Sequence, residues 1–95
     1  MAESIINKPI LANVKSLELF AATVVTGTTG NVSCSLINDG KTIVFGGYCN
    51  GGTCVVLPFV SATNSYWYVK VRNAENMEPV ANTSIELRYY IVRLN

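Results

Sequence analysis

The sequence predicts an all-β protein: a two-layer antiparallel β-sandwich, jelly-roll-like, of about six to seven strands. Three observations predict it. Apolar and polar residues alternate with period two in several runs, as they do when one face of a sheet is buried and the other solvated. Those runs are rich in β-branched and aromatic residues, which suit a pleated, half-buried surface. Clusters of Gly, Asn, Asp, Ser and Pro separate the runs at intervals that suit turns. No repeat of 20–50 residues and no sustained heptad competes with this pattern. At 95 residues the chain makes one domain with a core of its own. Residues 1–15 read as an N-terminal arm or attachment segment, with room for a short strand at 4–8, and residues 16–95 as the sandwich.

The first main strand is expected at 17–25, LELFAATVV, with Leu17, Leu19, Ala21, Thr23 and Val25 on one face. A helix over 14–22 would align Val14, Leu17 and Ala21, but the Thr-Val-Val-Thr continuation favours the strand. TGTTGN, 26–31, is a tight connection in which glycine supplies positive φ at little cost. Residues 32–37 then put Val32, Cys34 and Leu36 inward and Ser33 and Ser35 outward. Asn38-Asp39-Gly40-Lys41 predicts a type I′ hairpin turn, since Asp-Gly accepts positive φ at both central positions. It leads into a strand at 42–49 with Ile43 and Phe45 inward. Gly46 and Gly47 interrupt that strand, which implies a bulge or a close backbone approach.

A strand at 53–60 follows, and Pro58 pushes it, at least locally, toward a sheet edge because proline cannot donate to a ladder. Residues 61–65 form a polar turn. YWYVKVRN, 66–73, sets Trp67, Val69 and Val71 against Tyr66, Tyr68, Lys70 and Arg72. Residues 74–82 are the longest polar connection, with room for one helical turn before Pro79. The last strand, 84–94, alternates Ile85, Leu87, Tyr89 and Ile91 against Glu86, Arg88 and Tyr90. Immunoglobulin wiring has no support, because Trp67 follows all three cysteines instead of lying between two of them.

Composition narrows the function classes. Charged residues are 14% and net charge is +1, with the seven Lys and Arg scattered along the chain. Phosphate neutralisation along a nucleic acid needs a basic stripe, and a polybasic membrane patch needs a cluster; neither is present. No apolar run approaches the ~18 residues of a transmembrane helix. The opening MAESIINKPI has neither the basic start nor the apolar core of a secretory leader. The expectation is a protein made in a cytosol, or released by another route. A surface that is polar but weakly charged is poorly protected against self-association. Part of it is therefore expected to be covered.

The stretch GGYCNGGTC, 46–54, places Cys49 and Cys54 around a glycine pair. A zinc site wants four Cys, His or carboxylate ligands, and the chain has no His. A redox Cys-x-x-Cys motif has two intervening residues, whereas this one has four. The remaining reading is a hairpin whose strands end at Cys49 and begin near Cys54, with a four-residue loop. The two cysteines then stand opposite each other, as thiols in a reducing compartment or as a disulfide in an oxidising one.

The same lack of His removes Ser-His and Cys-His nucleophile pairs. The six carboxylates fall mostly in turns and near the terminus. No phosphate-binding Gly-x-x-x-x-Gly-Lys motif occurs. The chain is therefore expected not to be an enzyme and to need no cofactor or metal. A binding or interface surface remains. Tyr66, Tyr68, Lys70 and Arg72 share one face of their strand. Arg88 and Tyr90 would lie beside them if the first strand paired with the last. Exposed aromatics among hydrogen-bonding groups suit a sugar or a partner subunit.

The opening MAESIINKPI, the TVVTGTTGNVS hairpin and the WYVKVRN…PVANTSIELRYYIV ending together resemble small β-sandwich virion proteins of tailed bacteriophages. The likeness runs over roughly residues 15–94. It implies a capsid-decoration, head-fibre or tail-fibre component, often trimeric, found in the virion after assembly in the host cytoplasm. It would bind copies of itself and other virion proteins, with a host glycan as an alternative ligand.

Overall fold

The computed structural model describes residues 13–95. It contains six strands: β1 (Val14–Val25), β2 (Asn31–Ile37), β3 (Thr42–Cys49), β4 (Cys54–Val60), β5 (Tyr66–Asn73) and β6 (Ser84–Leu94). The all-β expectation therefore holds, and three strands fall on the expected residues. The strand expected at 4–8 lies outside the described residues. So does most of the 1–15 arm, whereas β1 begins at Val14. Residues 74–76 form a turn, not a helix.

All six strands hydrogen-bond into a single antiparallel sheet in the order β1-β6-β3-β4-β5-β2. The sheet must curl. β1 and β2 are its two edges, five strand spacings or ~24 Å apart if flat, yet Val25 and Asn31 are joined by only six peptide steps, ~20 Å at full stretch. The 26–30 connection bridges the gap with hydrogen bonds to both halves. Thr26 N donates to Thr83 O at 2.9 Å, Asn82 N to Gly27 O at 3.1 Å, and Val71 N to Gly30 O at 2.8 Å. The result is a half-barrel whose inner face is the core.

Two expected hairpins are corrected by this order. The 26–31 connection joins the two edges and not a paired ladder. The Asp39-Gly40 turn likewise does not make a β2–β3 hairpin, since β2 pairs with β5 and β3 with β6 and β4. The expected type I′ geometry is corrected too: Gly40 has φ 81°, but Asp39 does not take a positive φ, and its side chain instead closes an Asx turn, with Lys41 N donating to Asp39 Oδ1 at 2.8 Å. Turn chemistry fixes chain reversal, not the identity of the neighbour. Here the two links leave β2 at opposite ends of the sheet, Thr26 bonding to Thr83 just before β6 and Lys41 to Leu94 at its end.

The Cys49-to-Cys54 hairpin is found as expected, with Cys49 opposite Cys54 and a 3₁₀ turn at Asn50–Gly52. Asn50, Gly51 and Gly52 all have positive φ. Pro58 sits in an interior strand, but the β3–β4 ladder stops at Gly47↔Val56. Beyond it the β3-side edge of β4 has no ladder partner, so the proline removes no bond there.

The inner face holds Val44, Cys49, Cys54, Val56, Val69, Val71, Ile85, Leu87, Tyr89 and Ile91, all buried. Phe20 stacks on Tyr89 with centroids 4.7 Å apart. Trp67 reaches from β5 to the start of β3, where its Nε1 donates to Thr42 O at 3.0 Å. This bond satisfies the indole and ties the two halves of the sheet together. Ile43 and Phe45, expected inward, are exposed, and Val44 is buried in their place. The register skips between Phe45↔Tyr90 and Gly47↔Tyr89. That bulge moves every residue before it to the other face.

Candidate interaction surface

Alternation along the strands places a second row of large side chains on the outer face. Ladder partners share a face, so register shows who meets whom. Leu19 lies opposite Tyr90, and Tyr90 opposite Phe45; Leu17 lies opposite Val92, and Val92 opposite Ile43. These six residues form one apolar patch across β1, β6 and β3. Leu17 is 62% exposed, Leu19 51% and Phe45 44%. Phe45 and Tyr90 stack within the patch, with ring centroids 5.8 Å apart.

A second cluster lies on β4 and β5. Phe59 and Tyr68 stack at 5.7 Å, and Lys70 Nζ sits 5.2 Å from the Phe59 centroid, a cation–π contact. Asn64 Nδ2 donates to the Tyr68 hydroxyl at 3.3 Å, and exposed Tyr66 completes the group.

The candidate residues are thus divided. Tyr66, Tyr68 and Lys70 are together. Arg72 shares their face, but its guanidinium turns to backbone, donating to Val71 O at 3.1 Å and Thr29 O at 3.5 Å. β1 does pair with β6, yet Arg88 and Tyr90 do not lie beside the β5 tyrosines, because β3 and β4 intervene. Arg88 faces Ala21 on one side and Tyr48 on the other. The β4 contribution, Phe59, went unnoticed in the sequence. Only cross-strand register identifies it, opposite Tyr68.

Chemistry-bearing groups elsewhere are quiet. Cys49 and Cys54 are buried, opposed free thiols. Burial first, and then the bond to Cys54, push the Cys49 thiol up to about 12. It therefore stays protonated and is a poor nucleophile. Burial also pushes the Cys34 thiol up, partly opposed by its bond to the Tyr89 hydroxyl. Among the described residues, no three His, Cys, Asp or Glu side chains gather as a metal site would require. A shallow depression of about 180 Å³ lies over Ala21, Thr23, Glu86 and Arg88. That is below the ~300 Å³ at which small-molecule pockets begin. No helix among the described residues is long and apolar enough to cross a membrane.

Comparison with known proteins finds no matching family model, no matching curated protein and no matching solved structure.

Proposed function

We propose that this chain is a structural accessory subunit of a tailed-phage virion, a capsid-decoration or fibre component that works by self-association and by docking to other virion proteins. The observation that carries the self-association is the contiguous outer patch of Leu17, Leu19, Ile43, Phe45, Tyr90 and Val92. Apolar surface of that kind gains free energy when covered. The phage assignment rests on the resemblance of the opening, the 23–33 stretch and the ending to small virion proteins. With it go a location in the virion and an architecture in which the two halves of the curled sheet act as the layers of a jelly-roll-like sandwich. Reaction chemistry has no part in this reading.

Size-exclusion chromatography with light scattering tests it. The expected mass is a multiple of the 10.3 kDa chain at tens of micromolar. A monomer throughout that range, with no retention on immobilised virion proteins, overturns it.

A second reading is favoured by the other cluster. Tyr66, Tyr68, Phe59 and Lys70 present stacked rings beside donors, as a glycan-binding receptor tip would. On a glycan array, binding that disappears in Tyr68→Ala and Tyr66→Ala supports that role. Binding indifferent to both substitutions removes it.

A further inference from the structure

We propose that two copies of this chain pair β1 against β1 across a two-fold axis, continuing the curled sheet from one molecule into the next. The inference rests on the self-association proposed above and names the contact that produces it.

The two edges of the sheet are unlike. β1 has 12 residues, and no described strand pairs with its outer side. An unpaired edge of this length is a template for another strand unless something blunts it. β1 contains no proline, its bulge is confined to the Val14/Ser16 end, and Lys15 lies at that end. Its inward-facing Glu18 is already held by Arg93 at 3.0 Å. β2 is blunted. It has seven residues, its register breaks between Ser33 and Ile37, and Ser35 has φ 55° in the left-handed region. A head-to-tail β1–β2 contact is therefore disfavoured, and a self-complementary β1–β1 contact remains.

A two-fold axis normal to the sheet keeps outer face with outer face, and charge selects the register. Centring on Glu18 sets that carboxylate against itself and brings Lys15 to Ala21, whose ladder neighbour is Arg88. Both are like-charge contacts, which cost free energy. Centring on Leu19 sets Leu19 against itself, Leu17 against Ala21 and Lys15 against Thr23. Thr23 is the ladder neighbour of Glu86. Lys15 sits in the Val14/Ser16 bulge, where no ladder partner fixes its face; at this level its long side chain reaches toward Glu86 of the other copy, about two strand spacings or ~10 Å away. Symmetry makes this ion pair twice. Among the described residues, neither Lys15 nor Glu86 has a side-chain partner in its own chain. Centring on Phe20 moves Lys15 to Val25, and centring on Ala21 moves it beyond the end of β1, so both lose the pair. The Leu19 register also joins the two outer patches, because Leu19 adjoins Tyr90 and Leu17 adjoins Val92.

A 12-residue edge ~40 Å long with one side-chain row on each face covers on the order of 1,000 Å² in total, the lower limit for a specific interface. The expected product is a dimer of modest affinity, in place of the trimer implied by the resemblance.

Sedimentation equilibrium of the intact chain reads the outcome, with circular dichroism checking that each variant folds. Wild type is expected at twice the chain mass. Lys15→Glu and Glu86→Lys should each weaken dimerisation roughly tenfold, from two exposed ion pairs, and the double variant should recover it. Leu19→Lys, which sets like charges on the axis, should leave folded monomer. A trimer, or a dimer indifferent to Leu19→Lys but dissolved by Phe45→Ser, overturns this contact and leaves self-association standing. A wild-type monomer ends both readings. If its β1 amides resist hydrogen exchange, the edge is covered within one chain; if they exchange freely, it is bare.

Discussion

The two faces of the sheet carry side chains of similar hydrophobicity and opposite fate. On β6 and β1 the inner row of Leu87, Tyr89, Phe20 and Val24 is buried or packed against the core. The outer row of Leu17, Leu19 and Tyr90 on the same strands is exposed. Composition does not separate the two rows; curvature does. A sheet that curls until its edges are joined by a five-residue link removes its concave face from water and leaves its convex face uncovered. The inner face therefore supplies stability, at about 25 cal/mol for each Å² of apolar surface removed from water. The outer face leaves its apolar side chains in contact with solvent, and the proposed association would draw on that surface. The β3 bulge determines which residues fall on which side.

The largest break in this division is expected at Gly47. A Cβ there would overlap the Arg88 carbonyl oxygen and come within 2.7 Å of Tyr89 Cα. Backbone cannot yield as a flexible side chain can, so β3 and β6 would have to separate. Gly47→Ala should cost more than about 3 kcal/mol, toward the upper end of overpacking penalties. Urea unfolding followed by circular dichroism measures it. Gly46→Ala is the control, since its Cβ meets nothing within 4 Å. Equal stabilities for the two variants would mean that β3 and β6 yield at the bulge and tolerate a side chain there.

A matched pair of leucines sharpens the same contrast. Leu87 is 0% exposed on the inner face and Leu19 is 51% exposed on the outer face. Leu87→Ala should lose about 3 kcal/mol, transfer plus cavity. Leu19→Ala should lose under about 1 kcal/mol, mainly strand propensity. Both are read at low protein concentration, so that association does not contribute. A Leu19→Ala loss as large as that of Leu87→Ala would mean the outer row is covered within the monomer.

These faces were only partly legible in the sequence. β2, β5 and β6 alternate cleanly, and their inner residues follow directly from period two. β3, TIVFGGYC, is apolar on both sides, so alternation cannot orient it. Counting back in twos from Cys49 gives Phe45 and Ile43 as inward. The Gly46-Gly47 pair did signal a bulge, but a bulge shifts parity by one, and that shift is what exposes Phe45 and buries Val44. Neighbours were less legible still. The Asn38–Lys41 and 26–31 stretches carry genuine turn chemistry, yet which strand lies beside which depends on long-range closure. The candidate surface suffered from the same gap. Tyr66, Tyr68 and Lys70 share a strand and could be grouped from sequence. Placing Tyr90 with Phe45, and Phe59 with Tyr68, needed the ladder.

The smallest expected effect lies where the inner face opens to solvent at its rim. Glu18 and Arg93 lie on the inward parity of β1 and β6 but are exposed, and they are joined at 3.0 Å. The hydrogen bond from Arg93, and then that from Ser16, hold the Glu18 carboxyl below its usual range. Because the folded-state pKa is the lower one, the pair's contribution is complete above the ordinary glutamate value of about 4.3. It is lost as pH falls through the folded value. Exposed pairs of this kind are weak and screened by salt. Glu18→Gln should therefore lower the thermal midpoint only slightly at neutral pH and low salt, and the gap should close under acid or in molar salt. Asp39, held below its range mainly by the Lys41 backbone N–H, supplies an acid dependence that the variant retains. A gap that persists unchanged in acid would mean that the Glu18 side chain acts by packing at the β1 edge and not by its charge.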